Sequence, residues 1–422
     1  MFNETLMERI LDIENLQTAV AAVKRNKGKP GVDGMTVQEI IPHLNKHWPQ
    51  IKEKLLNGDY KPALVKGVVI PKADGGQRQL GIPTVQDRVI QQAISQQLNL
   101  KFDPGFSEHS YGYRPGRSAH DAIKAVQSFA RAGKTWCVDI DISAFFDHVN
   151  HDILMRRVSE KVTDKRVLKL IGRYLRAGRK QNGQVYKRLN GTPQGGPLSP
   201  LLANIYLDPL DKELEKRNLS FSRYADDLMI YASSERSAER VFNSVCNWIE
   251  KHLKLKVNRN KSGTGRPWKR KYLGFIIQEE NGEIGIAPES LDRYKERIRE
   301  LWRGNQSLTS KQLVKQWRRY LLGWWNYFRI ANVQVKSLLW KLASLSSWTR
   351  RHIRKCFWQR WHSKVGRLRQ LRRQQVSAKV IQRVNFHAGA WRAARHPAMH
   401  MAMNNKRLVQ YGLVTLRDLA VT

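Results

Sequence analysis

An α+β catalytic region followed by a helical, strongly basic C-terminal part is the fold class the sequence predicts. Three observations predict it. Short period-2 runs and 3.6-period segments mix without the regular strand–helix–strand beat of a parallel sheet. Two of the strand-like runs, "WCVDIDIS" and "SRYADDLMIYA", carry paired acidic residues among β-branched and aromatic ones. From Leu301 to Arg417 there is no Asp or Glu, while 25 Lys and Arg and nine of the 13 Trp lie inside that stretch.

Taken in order, residues 1–60 read as helical, interrupted by "NKGKPGVDGMT", whose Gly and Pro break the helical pattern. "VKGVVIPKADGGQRQLGIPT" (65–84) reads as a hairpin, two β-rich runs around the Asp74-Gly75-Gly76 turn. A helix over 86–101 follows. "WCVDIDISAFFDHVNHDIL" begins as a strand, because Val138, Ile140 and Ile142 alternate with Asp139 and Asp141, and then turns helical. The Gly- and Pro-rich "NGTPQGGPLSP" (190–200) opens another helix, and "SRYADDLMIYA" reads as a hairpin with Asp226 and Asp227 at its tip. In "LTSKQLVKQWRRYLLGWWNYF", Leu313, Trp317, Tyr320, Leu321 and Trp324 recur at helical spacing behind a Thr309/Ser310 cap. No internal repeat is visible.

Composition narrows the partners. With 422 residues and 41% hydrophobic content the chain can bury several cores. Its 75 Lys and Arg against 36 Asp and Glu leave a formal charge of +39, far beyond what solubility requires, and a polyanion such as nucleic acid is the usual reason. A solvated helix face normally mixes signs, as "LDKELEK" does at 210–216, so the acid-free stretch reads as a separate region that neutralises phosphates and offers aromatic surfaces for stacking. Three widely spaced Cys (Cys137, Cys246, Cys356) argue against a disulfide framework and a Cys-type zinc site. The charged opening "MFNETLMERILDIENLQTAV" and the lack of any 18-residue apolar run predict a cytosolic protein without a membrane partner.

The acidic strands carry the chemistry. Magnesium prefers octahedral oxygen coordination and takes one or two carboxylates plus substrate phosphates. Two-metal phosphoryl transfer, with ions about 3.5 to 4 Å apart, needs carboxylates from more than one segment. Asp226 and Asp227 supply one segment and "VDIDISAFFD" the other, where period-2 geometry sends Asp139 and Asp141 to the same face. Spacing alone leaves both of the latter as candidates. His148 and His151, at i and i+3 without a third ligand, read as an exposed helix face.

"YADD" (224–227), "DISAFFDHV" from Asp141, "TPQGGPLSPLLANIYLDPLD" (192–211), "YGYRPGRSAHDAI" (111–123) and "RKYLGF" (270–275) together resemble the ordered motif set of group II intron reverse transcriptases. The resemblance covers nearly the whole chain. It implies a right-hand polymerase: an N-terminal extension (1–60), fingers and palm with an antiparallel sheet (61–285), an α-helical thumb or maturase domain X (286–365) and a small basic DNA-binding region (366–422). It selects Asp141 over Asp139, giving Asp141, Asp226 and Asp227 as catalytic ligands of two Mg²⁺ ions. Phe146 matches the aromatic that obstructs a ribose 2′-hydroxyl, Lys72 and Arg78 the cations that hold the incoming triphosphate, and Gln194 and Gly195 the segment against the nascent base pair. Tyr111, Arg114 and Arg117 read as trackers of template phosphates. The loop bearing Lys27, Lys29 and Asp33 matches the extension that covers the template, and Arg350, Arg351, Arg354, Lys355 and Arg360 read as an RNA-gripping cluster.

The implied function is RNA-directed DNA synthesis together with maturase activity in group II intron splicing and mobility. Its partners are intron RNA, an RNA template with a DNA primer, a DNA target and deoxynucleotides, in a bacterial cytoplasm and associated with nucleoid or ribonucleoprotein. The chain ends at Thr422 without the paired cysteines of an H-N-H endonuclease and so resembles the short, endonuclease-lacking, class C-like lineage. Two rivals stand beside this reading: a domesticated relative in DNA repair or phage defence, and a non-catalytic RNA-binding splicing cofactor. All three aspartates being present argues against the second.

Overall fold

The computed structural model describes residues 5–71, 76–279, 282–303, 307–331 and 336–420, with the backbone alone for Gln77, Arg78, Lys336 and Ser337. Two compact units result, Met1–Arg266 and Pro267–Thr422. The second begins before the 285/286 boundary read from the sequence. The reason is local: Phe275 packs its ring 5.0 Å from Phe328 and 5.4 Å from Tyr327, so the hairpin that contains it belongs with the later helices.

Ten strands lie among the described residues: β1 (Val65–Pro71), β2 (Gln77–Ile82), β3 (Trp136–Asp141), β4 (Arg179–Gln181), β5 (Gln184–Tyr186), β6 (Ser220–Tyr224), β7 (Asp227–Ala232), β8 (Gly263–Gly265), β9 (Phe275–Ile277) and β10 (Ile284–Ile286). Alternation in β3 drives Val138 and Ile140 into the core, both fully buried, and leaves Asp139 and Asp141 on the other face. The palm sheet has the order β6-β7-β3-β8, antiparallel throughout. Helices Ala119–Arg131, Ser199–Lys216 and Glu235–Trp248 accompany it. Helix Ser199–Lys216 is buried along most of its length, at Leu201, Leu202, Ile205, Tyr206, Leu210 and Leu214 among others.

The second sheet, β2-β1-β4-β5, forms the fingers. Its β1–β2 hairpin is the one the sequence predicts, but the sheet is extended by β4, which runs parallel to β1, and by β5. Asn182 (φ +50°) and Gly183 (φ +81°) form the two-residue turn between β4 and β5, the Asn-Gly signature of a tight hairpin. Helix Val85–Phe102, after β2, starts at a Thr84 cap, packs against helices Ile13–Asn26 and Leu6–Ile10 and buries Val89, Ile90, Ala93, Ile94 and Leu98. Asp87 goes inside with them. Burial pushes its carboxyl above the usual range, while donors from Thr84, Tyr60, Ala63 and Tyr174 hold it in place.

The N-terminal region is helical as expected, with helices Leu6–Ile10, Ile13–Asn26 and Ile40–Leu56 around an irregular 27–39 segment. In the second unit, helix Ser310–Phe328 carries the expected Thr309 cap, completed as a capping box by Gln312. Its stripe of Leu313, Trp317 and Leu321 is buried, and Trp302, Trp317 and Trp358 are nearly or wholly inaccessible. These tryptophans are core residues and offer no stacking surface. Trp340 (72% exposed) and Trp391 (44%) are the large indoles left outside. Among the described residues no helix is long and apolar enough to cross a membrane.

Candidate active site

Antiparallel pairing of β3 with β7 sets Asp141 directly opposite Asp227. The β6–β7 hairpin turns over Ala225 and Asp226, with Ala225 at φ +59°, the left-handed conformation that a two-residue turn of this hand demands. Asp141, Asp226 and Asp227 thus meet in a cleft of about 1070 Å³ that is also lined by Phe146, Gln194 and Gly195. Asp139 does not line it, so the pairing separates the two candidates that period-2 spacing left equal.

Three segments brace this floor. The Asp141 amide donates to Ser262 Oγ and its carbonyl accepts from the Asn258 amide, both at 2.9 Å. Beneath the hairpin lies a buried ion pair, Arg223 to Asp211, with Nε–Oδ1 2.7 Å and Nη2–Oδ2 2.5 Å. Arg223 also donates to the Ala225 carbonyl (2.9 Å), to Asn204 Oδ1 and to Ser110 Oγ, so one guanidinium ties the turn to the long helix and to the 107–112 strap. Gly112 lies so close to the turn that a Cβ there would stand 2.3 Å from the Ala225 nitrogen. None of Arg223, Asp211, Asn204 or Gly112 is among the sequence-predicted site residues. Their signal was present, as an Arg inside a strand and an Asp on the buried face of an apolar helix.

The loop at 190–196 is fitted to the floor by glycines. Gly191 (φ +83°) has no room for a Cβ, which would sit 2.7 Å from the Phe146 carbonyl, and the Thr192 amide donates to that carbonyl at 2.7 Å. Gly195 (φ +114°) lies against Gly81 of β2, whose amide donates to the Gln194 carbonyl at 2.8 Å. Phe146 is half-buried beside fully buried Phe145 (ring centroids 5.1 Å) and still faces the cleft. His151 is no exposed face: it is buried, its Nε2 lies 2.7 Å from the Gly191 carbonyl, and burial pulls its pKa down.

Charge decides what the cleft accepts. Asp227 is open to the cleft, yet the protein atoms crowding its carboxyl, followed by Asp226, Asp139 and Asp141, push it up to about 7, which is the behaviour of clustered carboxylates short of positive charge. A divalent cation would supply that charge. Among the described residues no three His, Cys, Asp or Glu side chains enclose an ion by themselves, so Asp141, Asp226 and Asp227 would share it with substrate phosphates and water, as suits Mg²⁺.

The remaining sequence-predicted residues divide. Asn26, the last residue of helix Ile13–Asn26, and Gly28 of the loop after it line the cleft, with Lys27 and Lys29 exposed beside them. Tyr113, exposed and not singled out in the sequence, lines it too. Tyr111, Arg114 and Arg117 do not. Arg114 is buried and spent on Asp103 and the carbonyls of Ser107, Ser110 and Asp103, so it is an internal strut instead of a phosphate tracker. Arg117 lies on Glu108 at 2.6 Å and over the Tyr111 ring. Lys72 and the Arg78 side chain lie outside the described residues.

The cluster in the second unit also needs correction. Arg350 is buried against Asp418 (2.7 Å), one residue beyond the acid-free stretch, and Arg354 is buried with its Nε on the Met403 carbonyl. Burial pulls Arg354 down to about 10. Arg360 donates to the Leu308 carbonyl, while Lys355 lies over the Trp391 ring. Arg351 remains half-exposed. Two of the five cations are therefore structural.

Fold and site together define a reverse transcriptase domain. Residues 70–277 match the reverse transcriptase (RNA-dependent DNA polymerase) family, and residues 291–375 match the group II intron maturase-specific domain. Protein YkfC of Escherichia coli (strain K12) is 30% identical over 299 residues, covering 61% of this chain and 78% of that protein. The group II intron-encoded protein LtrA of Lactococcus lactis subsp. cremoris is 40% identical over 175 residues, 41% of this chain and 29% of LtrA. The putative COX1/OXI3 intron 2 protein of Saccharomyces cerevisiae is 30% identical over 302 residues, 67% of this chain and 34% of its own. The chain belongs to the group II intron reverse transcriptase and maturase family, and the match spans about a third of the length of the latter two relatives.

Proposed function

We propose that the protein copies an RNA template into DNA by two-metal nucleotidyl transfer at Asp141, Asp226 and Asp227, and that its second unit binds a group II intron RNA and promotes its splicing and mobility. The observation that carries the first part is the Asp141–Asp227 register beside Asp226 on the floor of an open cleft. Bound Mg²⁺ would activate the primer 3′-hydroxyl and neutralise charge on the phosphate being transferred. The protein's own share is placement. Arg223 and Gly112 fix the turn, Gly195 lets its loop pack against Gly81 of β2 so that Gln194 and Gly195 face the position of the new base pair, and Phe146 crowds the sugar position. Lys72 and Arg78 belong to the same reading as holders of the triphosphate, and a DNA target completes its partners in a cytoplasmic ribonucleoprotein. The test is extension of a DNA primer annealed to RNA with the four deoxynucleotides. Magnesium-dependent extension that stops on chelation is expected, and no extension under these conditions would overturn the reading.

Phe146 carries a prediction of its own. Phe146→Ala is expected to raise ribonucleotide incorporation relative to deoxynucleotide incorporation, because the side chain reaches the cleft while its neighbour Phe145 supplies the core packing. Unchanged sugar discrimination in a folded variant, with only a stability loss of about 3 to 5 kcal/mol, would make Phe146 a packing residue instead.

For the RNA grip, the exposed cations of helix Lys364–Arg373 replace the buried ones. Changing Lys364, Arg369, Arg372 and Arg373 together to Gln is expected to flatten the dependence of log affinity on log potassium by roughly 0.7 to 0.9 per lost phosphate contact. Arg350→Ala and Arg354→Ala are expected instead to lower the melting temperature, since the first takes a charged donor from part-buried Asp418 and the second a donor from the buried Met403 carbonyl. An unchanged salt slope in the quadruple variant, with intron splicing intact, would show this helix to be merely solvated.

A further inference from the structure

A second, smaller cavity of about 190 Å³ opens beside the catalytic cleft, sharing Gln79, Asp147 and Gln194 with it. Its cationic wall comes from the β4–β5 hairpin and the segment that follows, as Arg179, Lys187 and Arg188. The fold fixes these groups before any ligand arrives. The Arg179 stem crosses Gly67 of β1, where a Cβ would come within 2.8 Å of Arg179 Cδ, and its guanidinium lies 5.1 Å over the Tyr186 ring. From Arg188 the chain runs two residues to Gly191, which is locked against the Phe146 carbonyl.

Both arginines keep an unmet need. Arg179 Nε and Arg188 Nε are buried and have no hydrogen-bond partner, a costly condition for a charged donor unless an acceptor enters the cavity. Burial pulls the Arg188 pKa down, and neighbouring Arg179 adds to that effect while Asp147 opposes it. One lining carboxylate against three cations leaves the wall positive. The fork geometry of guanidinium suits a phosphate. None of Asp141, Asp226 and Asp227 lines this cavity, whereas a reacting triphosphate must reach the ions they would hold, so the phosphate that fits here is one from a strand backbone.

We propose that this cavity binds a backbone phosphate of the RNA strand being copied, anchoring the template beside the base pair under construction. The inference rests on the polymerase reading above. Its test uses a fluorescein-labelled DNA primer annealed to an RNA template with a single-stranded 5′ extension, titrated by anisotropy without deoxynucleotides. Arg188→Gln is expected to weaken binding several-fold and to reduce the slope of log affinity against log potassium by roughly 0.7 to 0.9, with Arg188→Lys restoring much of the slope. Lys187→Gln, at an exposed position, is expected to act in the same direction and serves if Arg188→Gln fails to fold. Unchanged affinity and slope in the folded variants would overturn the proposal, as would an effect confined to the KM for deoxynucleotide, which would make the cavity a triphosphate site. A wild-type protein that binds the duplex but never extends it would sink the polymerase reading instead, leaving the binding comparison legible.

Discussion

Asp227→Asn is expected to abolish primer extension with Mg²⁺ while leaving affinity for primer–template RNA nearly intact. On the proposed reading the lost carboxylate oxygen would hold the metals, which would supply several kcal/mol of transition-state stabilisation, on the order of a thousandfold or more in rate. Most binding comes from phosphate contacts elsewhere. Asp141→Asn is expected to behave alike, because β-sheet register sets it opposite Asp227. Asp139→Asn is the internal control. It stands two residues away on the same strand but outside the cleft, so its effect is expected to be much milder. Single-turnover extension and anisotropy on the same samples check all three, and near-normal extension by Asp227→Asn would remove the metal assignment.

Arg223→Met is expected to have the largest effect of any change outside the cleft. It strands Asp211, whose side chain is wholly buried, and breaking one side of such a pair costs about 3 to 5 kcal/mol. The Ala225 carbonyl loses its donor in the same step, so the turn carrying Asp226 loosens. The two effects can be told apart. Replacing both partners, as Arg223→Met with Asp211→Leu, is expected to recover much of the melting temperature, since an apolar pair removes the stranded charge. Extension is expected to stay low in that double variant, because the carbonyl beneath the turn still lacks its donor. If extension recovers along with stability, the network is a stability element without a positioning role.

Much of this site was legible before any coordinates. Alternation in "VDIDIS" and "SRYADDLMIYA" gives the strands and turns their carboxylates to one side, since period-2 geometry is local to each strand. The Thr309 cap and the Leu313, Trp317 and Leu321 stripe held for the same reason. What was misread involved cations and aromatics. A lysine or arginine looks the same in a sequence whether it meets phosphate or carbonyl: Arg114 turned inward to acceptors in the loop just before it, and Arg350 and Arg354 to acceptors distant along the chain. The Asn182-Gly183 turn was a readable signal that the flanking three-residue strands were too short to advertise.

The sequence by itself determined the chemistry on offer: three aspartates on two β-rich segments, a large positive charge, an ordered motif set and the division between a mixed region and an acid-free helical one. Tertiary structure alone decided which copies of a residue type reach the cleft and which are buried away from it. Register put Asp141 and not Asp139 across from Asp227. Burial turned Trp302, Trp317 and Trp358 into core, and Asp418 drew Arg350 out of any surface role. The physical reason is that strand and helix periodicity act over a few residues, whereas the partner that satisfies a buried donor, or leaves Arg179 and Arg188 unsatisfied, is supplied by elements far away in the chain.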